Sequence, residues 1–179
     1  MAIGSGPKWC YDGRHTVKPL PDNDQRCNYK DVVVIRANQN MQNEIDALDG
    51  NSNVRVLKIV SEGHWESELE PKLAVNLPNL EDLQIVDVSM GPMELTEQRT
   101  PKLSKLFLQT PSQNEDTGFV IELPELRDCS IYYWGPGDYQ WVISMLNKAT
   151  KLERFDSYKL RVSHLGFYSN HLRSIRLHR

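Results

Sequence analysis

Side chains able to do chemistry occur in this chain, but they are not gathered at reactive spacings. Its 179 residues include five histidines, His15, His64, His164, His171 and His178, and three cysteines, Cys10, Cys27 and Cys129. A zinc site usually draws two ligands from one short stretch, as in HExxH or CxxC, so that one turn of chain aims both at the ion. Neither pattern is present. A phosphate loop needs GxxxxGK[ST] to cradle the anion, and a hydrolase nucleophile needs the strained GxSxG elbow. Both are absent; Ser5–Gly6–Pro7 is too short for the first, and Gly135–Pro136–Gly137–Asp138 reads as a tight turn. Asp82, Asp128 and Asp156 could converge on a cation, but Lys105 and Arg154 fall between them. The expectation is a protein without catalytic residues, metal or cofactor.

What remains is chemistry of recognition, and its residues recur. The pattern apolar-x-x-apolar-x-apolar fits Val32, Ile35, Ala37, then Val54, Leu57, Ile59, then Leu80, Leu83, Ile85. It continues at Leu103, Leu106, Leu108, at Leu126, Cys129, Ile131, more weakly at Leu152, Phe155, Ser157, and at Leu172, Ile175, Leu177. Successive first positions lie 22, 26, 23, 23, 26 and 20 residues apart. The fourth and sixth positions alternate around one exposed residue, which is strand periodicity. A single unit of this size cannot bury its apolar face, so neighbouring units must stack and share one core.

Seven such motifs in spaced order resemble the leucine-rich-repeat family, from about Asp31 to the last residue. The resemblance implies an α/β fold: a leucine-rich-repeat solenoid with a parallel sheet on the concave face and mixed helix and loop returns on the convex face. The family usually places Asn or Cys at the ninth position. Only Asn40 fits; Glu62, Val88, Pro111, Trp134 and Leu160 stand elsewhere, so a regular asparagine ladder is not expected. Among the returns, 40–50 reads as a helix with Met41, Ile45 and Leu48 inward, and Asn40 as its cap. So does 138–152, with Trp141, Ile143, Met145 and Leu146 inward and Asp138 as cap. Residues 110–119 read as a loop. Pro78, Pro101 and Pro124 each stand two residues before a first motif position, where no ladder partner is yet needed.

In this architecture the third, fifth and seventh positions face the concave side. The third positions include Asp82, Lys105, Asp128 and Arg154, which alternate in sign on adjacent strands about 4.8 Å apart. Such a ladder either neutralises itself at the surface or serves as a polar recognition strip. The fifth positions include Phe107, Asp156 and Arg176. The seventh include Tyr132 and Tyr158, side by side, with Trp134 close behind. Tyr and Trp give large contact area for little lost rotamer entropy. The expected binding residues are therefore Phe107, Asp128, Tyr132, Trp134, Arg154, Asp156, Tyr158 and Arg176. The competing reading turns Trp134 inward to close its turn.

The totals set limits. Net charge is −3, which gives no overall attraction to nucleic acid or acidic membrane. The longest apolar runs are far too short to span a bilayer, and the N-terminus has no signal-peptide core. Residues 1–30 are expected to cap the repeats of 31–179, pinned by a disulfide between Cys10 and Cys27, while Cys129 is a small buried hydrophobe. Paired, the first two cysteines place the protein outside the cell or in a lumen; unpaired, in the cytoplasm. The final motif ends two residues before the chain does, leaving an open strand edge for self-association or for further repeats of a longer protein. The expected role is a non-catalytic protein-binding module of a receptor-like or adaptor protein. The alternatives are an intracellular substrate-recruiting adaptor of the F-box-like kind and a glycan-binding solenoid.

Overall fold

The computed structural model describes residues 9–11, 17–19, 31–61, 70–110, 118–133, 140–158 and 172–178. The chain forms two compact units, 1–30 and 31–179. In the first, β1 (Trp9–Tyr11) and β2 (Val17–Pro19) pair antiparallel, with Cys10 opposite Lys18. Cys27, and with it the Cys10–Cys27 pairing, lies outside the described residues.

The second unit is α/β, built on a parallel sheet of seven strands. In chain order these are β3 (Val32–Arg36), β4 (Val56–Val60), β5 (Asp82–Val86), β7 (Lys105–Thr110), β9 (Asp128–Tyr133), β10 (Arg154–Tyr158) and β11 (Ser174–His178). Each pairs with its predecessor in that series. Every central strand sends two side chains into the core, such as Leu57 and Ile59, Leu83 and Ile85, Leu106 and Leu108, or Cys129 and Ile131, none more than 2% exposed. The leucines at the first motif position seal this row: Leu80, Leu103, Leu126 and Leu152 are all buried.

Entry to the strands follows one local rule. The N–H of Leu80, Leu103 and Leu126 bonds the carbonyl three residues earlier, at Leu77, Thr100 and Leu123, over 3.1 to 3.2 Å. Pro78, Pro101 and Pro124 stand just after those carbonyls, where the ring presets the backbone angle of a turn and no N–H is missed. A second rule stacks the strands. The Arg55 carbonyl accepts N–H bonds from both Glu81 and Asp82, and Glu81, Ser104, Arg127 and Glu153 each do the same for the next strand.

The first strand sits differently from the motif alignment. Val33 pairs with Leu57 and Ile35 with Ile59, whereas the alignment sets Ile35 beside Leu57 and Ala37 beside Ile59. The shift is two residues, so the same side chains still face the core. The run Val32–Val33–Val34–Ile35 is apolar at every position, so the fourth and sixth positions are filled in either frame, although the observed frame puts Lys30 at the first.

The returns include α1 (Met41–Asp46) and α2 (Gln140–Lys148), both shorter than the expected spans. Met41 and Ile45 of α1, and Val142, Met145 and Leu146 of α2, are buried. Asn40 sits at the α1 N-cap but makes no side-chain capping bond. The Asn38 side chain instead accepts the Asn40 N–H at 2.6 Å, and Asn40 is exposed. Asp138 lies outside the described residues. A feature absent from the expectation is a second parallel pair, β6 (Met93–Thr96) with β8 (Phe119–Glu122). Met93, Leu95, Phe119 and Ile121 point inward from it, and Trp141 of α2 meets Phe119 edge-on at 5.1 Å between centroids. Phe119 thus belongs to a strand, although 110–119 reads as a loop; residues 111–117 are outside the described part. Among the described residues no helix is long and apolar enough to cross a membrane.

Candidate functional site

The sheet face opposite the core carries the residues expected to bind, and strand register decides which of them meet. Phe107 on β7 pairs with Ser130 on β9, Ser130 with Asp156 on β10, and Asp156 with Arg176 on β11. One row therefore reads Phe, Ser, Asp, Arg. The row above it holds Gln109, Tyr132, Tyr158 and His178. Tyr132 and Tyr158 are register partners; the Tyr158 side chain is outside the described part, as is all of Trp134.

Tyr132 binds the rows together. Its ring lies 5.7 Å from the Phe107 ring, tilted by 39°. Its hydroxyl donates to Asp156 Oδ2 at 3.1 Å. Burial pushes the phenol pKa up, the Asp156 charge and the hydrogen bond push it the same way, and Arg176 pulls it back. The hydroxyl therefore stays protonated, and a donor, at neutral pH.

The third-position row runs Asp82, Lys105, Asp128, Arg154 and Ser174 on successive strands. Arg154 closes an ion pair with Asp128, with side chains 63% and 32% exposed, so its contribution to stability is small. Asp82 is different. Burial raises its pKa and the Asp128 charge adds to that, while Gln84, Lys105 and Lys58 oppose it. Gln84 is buried beside it and donates to its carboxylate at 3.2 Å. Lys58, also buried, has its pKa lowered by desolvation against the pull of Asp82.

A second ladder, at the position before, is missing from the sequence reading. Arg55 grips both carboxylate oxygens of Glu81 at 2.8 and 2.9 Å and lies 4.0 Å from Asp31. Arg127 pairs with Glu153 at 3.2 Å, and Glu153 lies 4.0 Å from Arg173. Ser104 stands between the two groups and donates its hydroxyl to the Glu81 carbonyl at 3.3 Å. The signal was available: the second motif positions alternate in sign on either side of Ser104.

The arrangement offers aromatic surface, a held phenol and fixed charges. The buried Cys129 thiol touches Met145 sulfur at 4.0 Å, and burial raises its pKa far above the usual thiol range; it is no nucleophile. Among the described residues no three His, Cys, Asp or Glu side chains are grouped to hold a metal. No protein-family model, curated protein or solved structure matches the chain.

Proposed function

We propose that residues 31–179 are a leucine-rich-repeat module that binds a protein partner, without catalysis, through the face carrying Phe107, Tyr132, Asp156 and Arg176. The observation that carries the proposal is the joint placement of Tyr132 against Phe107 and Asp156, which ties three strands into one patch. Strand backbones hold these groups at fixed spacing, so little freedom is lost when a partner docks. Aromatic anchors supply contact area, and Arg154, Asp128 and Arg176 around them supply orientation and selectivity. Chain-ordered parallel strands and repeated core positions support the repeat assignment.

Affinity capture from lysate of the source cells tests the proposal. The wild-type chain is compared with Phe107→Ala/Tyr132→Ala and with the control Val120→Ser, on the separate β6–β8 pair. A protein retained by wild type and control but lost from the double variant is expected. In titration with that protein, each single alanine variant is expected to weaken binding about tenfold, corresponding to ~1.4 kcal/mol. Identical captured proteins for all three would overturn the proposal.

A further inference from the structure

We infer that the Asp49–Gly50 pair is a modification site, which turns to isoaspartate when the turn after α1 opens and is kept as aspartate in the folded chain by Asn76 of the next return.

The sequence supplies the reactants. Glycine has no side chain to shield its amide or to restrict its backbone, so in an Asp–Gly pair the Gly nitrogen reaches the Asp carboxyl more readily than in other pairs. The chain has two such pairs, Asp12–Gly13 and Asp49–Gly50; the first lies outside the described residues. Asp49 and Gly50 are both exposed. Gly50 has a φ of 74°, and nothing crowds the place where a Cβ would stand.

The step balances without a further reagent. The Gly50 nitrogen bonds to Asp49 Cγ. One carboxyl oxygen leaves as water, with the carboxyl's own proton and the Gly50 amide proton, and a cyclic imide remains. Water then opens the ring at the main-chain carbonyl. The backbone now runs through the Asp49 side chain, longer by one carbon, with no net change in mass.

Asn76 opposes both reactants. Its backbone N–H and its side-chain Nδ2 donate to Asp49 Oδ1 at 2.7 and 2.9 Å. The Gly50 N–H donates to the Asn76 carbonyl at 2.8 Å. The attacking nitrogen is thus tied to one group of Asn76, and the carboxyl it must attack to two others. The Asn76 N–H first, then its side-chain amide and the Arg99 charge, hold the Asp49 carboxyl below its ordinary pKa against desolvation. That keeps it ionised, the form from which water does not leave. The bonds join the returns of consecutive repeats, so the pair reacts only when this turn opens. Conversion makes the opening permanent, because a main chain longer by one carbon alters the spacing on which all three bonds depend.

The whole protein and a synthetic peptide of residues 44–55, EIDALDGNSNVR, are kept in neutral buffer and sampled over weeks. Electron-transfer fragmentation in a mass spectrometer locates isoaspartate, since it cleaves beside the added backbone carbon, and it separates Asp49 from Asp12. Deamidation of Asn51 is told apart by its gain in mass. Asp49 is expected to convert about tenfold or more slowly in the protein than in the peptide. Asn76→Pro removes both bonds that Asn76 donates, and Asn76→Ala removes the side-chain bond alone. Both are expected to speed conversion, the first more than the second, with circular dichroism checking that each variant folds. Pro124→Ala, which alters the turn before β9, is expected to leave the rate unchanged. Equal rates in protein and peptide would overturn the inference. So would folded Asn76 variants that convert no faster than wild type. Acceleration by Pro124→Ala as large as by Asn76→Pro would overturn it too, since general unfolding and not Asn76 would then set the rate.

Discussion

The Tyr132 hydroxyl meets Asp156 on the following strand at 3.1 Å while its ring rests 5.7 Å from Phe107 on the preceding one. Phe107 and Asp156 occupy one row, separated by Ser130, so they lie about two strand spacings apart, roughly 9.6 Å. A phenol is long enough to touch both sides of that gap, and a small residue at 130 leaves it room. Tyr132→Phe keeps the ring and removes the bond. The expected cost is about 1 kcal/mol of stability in urea denaturation, with the Phe107 contact retained. Tyr132→Ala should cost more, because the ring contact goes as well.

Asp82 predicts a pH dependence of definite sign. Its folded pKa is raised above the ordinary carboxylate value, first by burial. The folded state then binds the Asp82 proton more tightly than the unfolded chain, so this group costs stability above its folded pKa, and the cost falls away as the pH drops from there to the ordinary carboxylate value. Asp82→Asn should therefore raise the melting temperature at pH 7. The gain should shrink as the pH is lowered below the folded pKa and vanish below the ordinary carboxylate value, where Asp82 is protonated in both states. A gain independent of pH would show that charge burial is not its cause.

How much of this was legible in the sequence depended on which positions were compared. Six of the seven strands have the register given by the motif spacing, because Leu57, Leu83, Leu106, Cys129, Phe155 and Ile175 each stand next to a polar residue, at Lys58, Asp82, Lys105, Asp128, Arg154 and Ser174, that marks the frame. β3 slipped because Val32 to Ile35 offer no polar marker. The β6–β8 pair escaped notice since MELT and FVIE are only four residues each, a short alternation easily hidden inside a polar return. The Arg55–Glu81 and Arg127–Glu153 pairs lie at second motif positions, just before their strands begin, outside the third, fifth and seventh positions that make up the face opposite the core. The Tyr132–Asp156 bond is diagonal, between rows, and a row-by-row comparison sets Tyr132 beside Tyr158 instead.

The repeated turns predict additive effects. Pro78, Pro101 and Pro124 restrict the unfolded chain at sites whose folded backbone already suits them. Replacing any one by alanine should cost about 0.4–1 kcal/mol. The sites stand in separate repeats with no shared hydrogen bond, so the triple variant should lose about 1–3 kcal/mol, close to the sum. Urea midpoints of the three single variants and the triple variant check this, and a loss well above the sum would mean that the turns cooperate.

Cys129 separates packing from reactivity. The thiol is fully buried and its pKa is raised by burial, with the Asp128 charge adding to it, so attack by a maleimide in native buffer requires local opening. Native labelling of Cys129 should be slow and should match the denatured rate only where urea unfolds the repeats. Cys129→Ser places a hydroxyl beside Met145 sulfur in the core and should cost about 1–3 kcal/mol; Cys129→Ala should cost less, since it leaves a small void but no unmet hydrogen bond. The same reagent counts the other thiols. Denatured, unreduced protein should take up one label if Cys10 and Cys27 are paired, and three if they are free. One label favours an extracellular or lumenal module, and three favour an intracellular adaptor. Rapid labelling of Cys129 in the native state would mean that the fifth strand of the sheet, β9, opens readily, which its burial between β7 and β10 opposes.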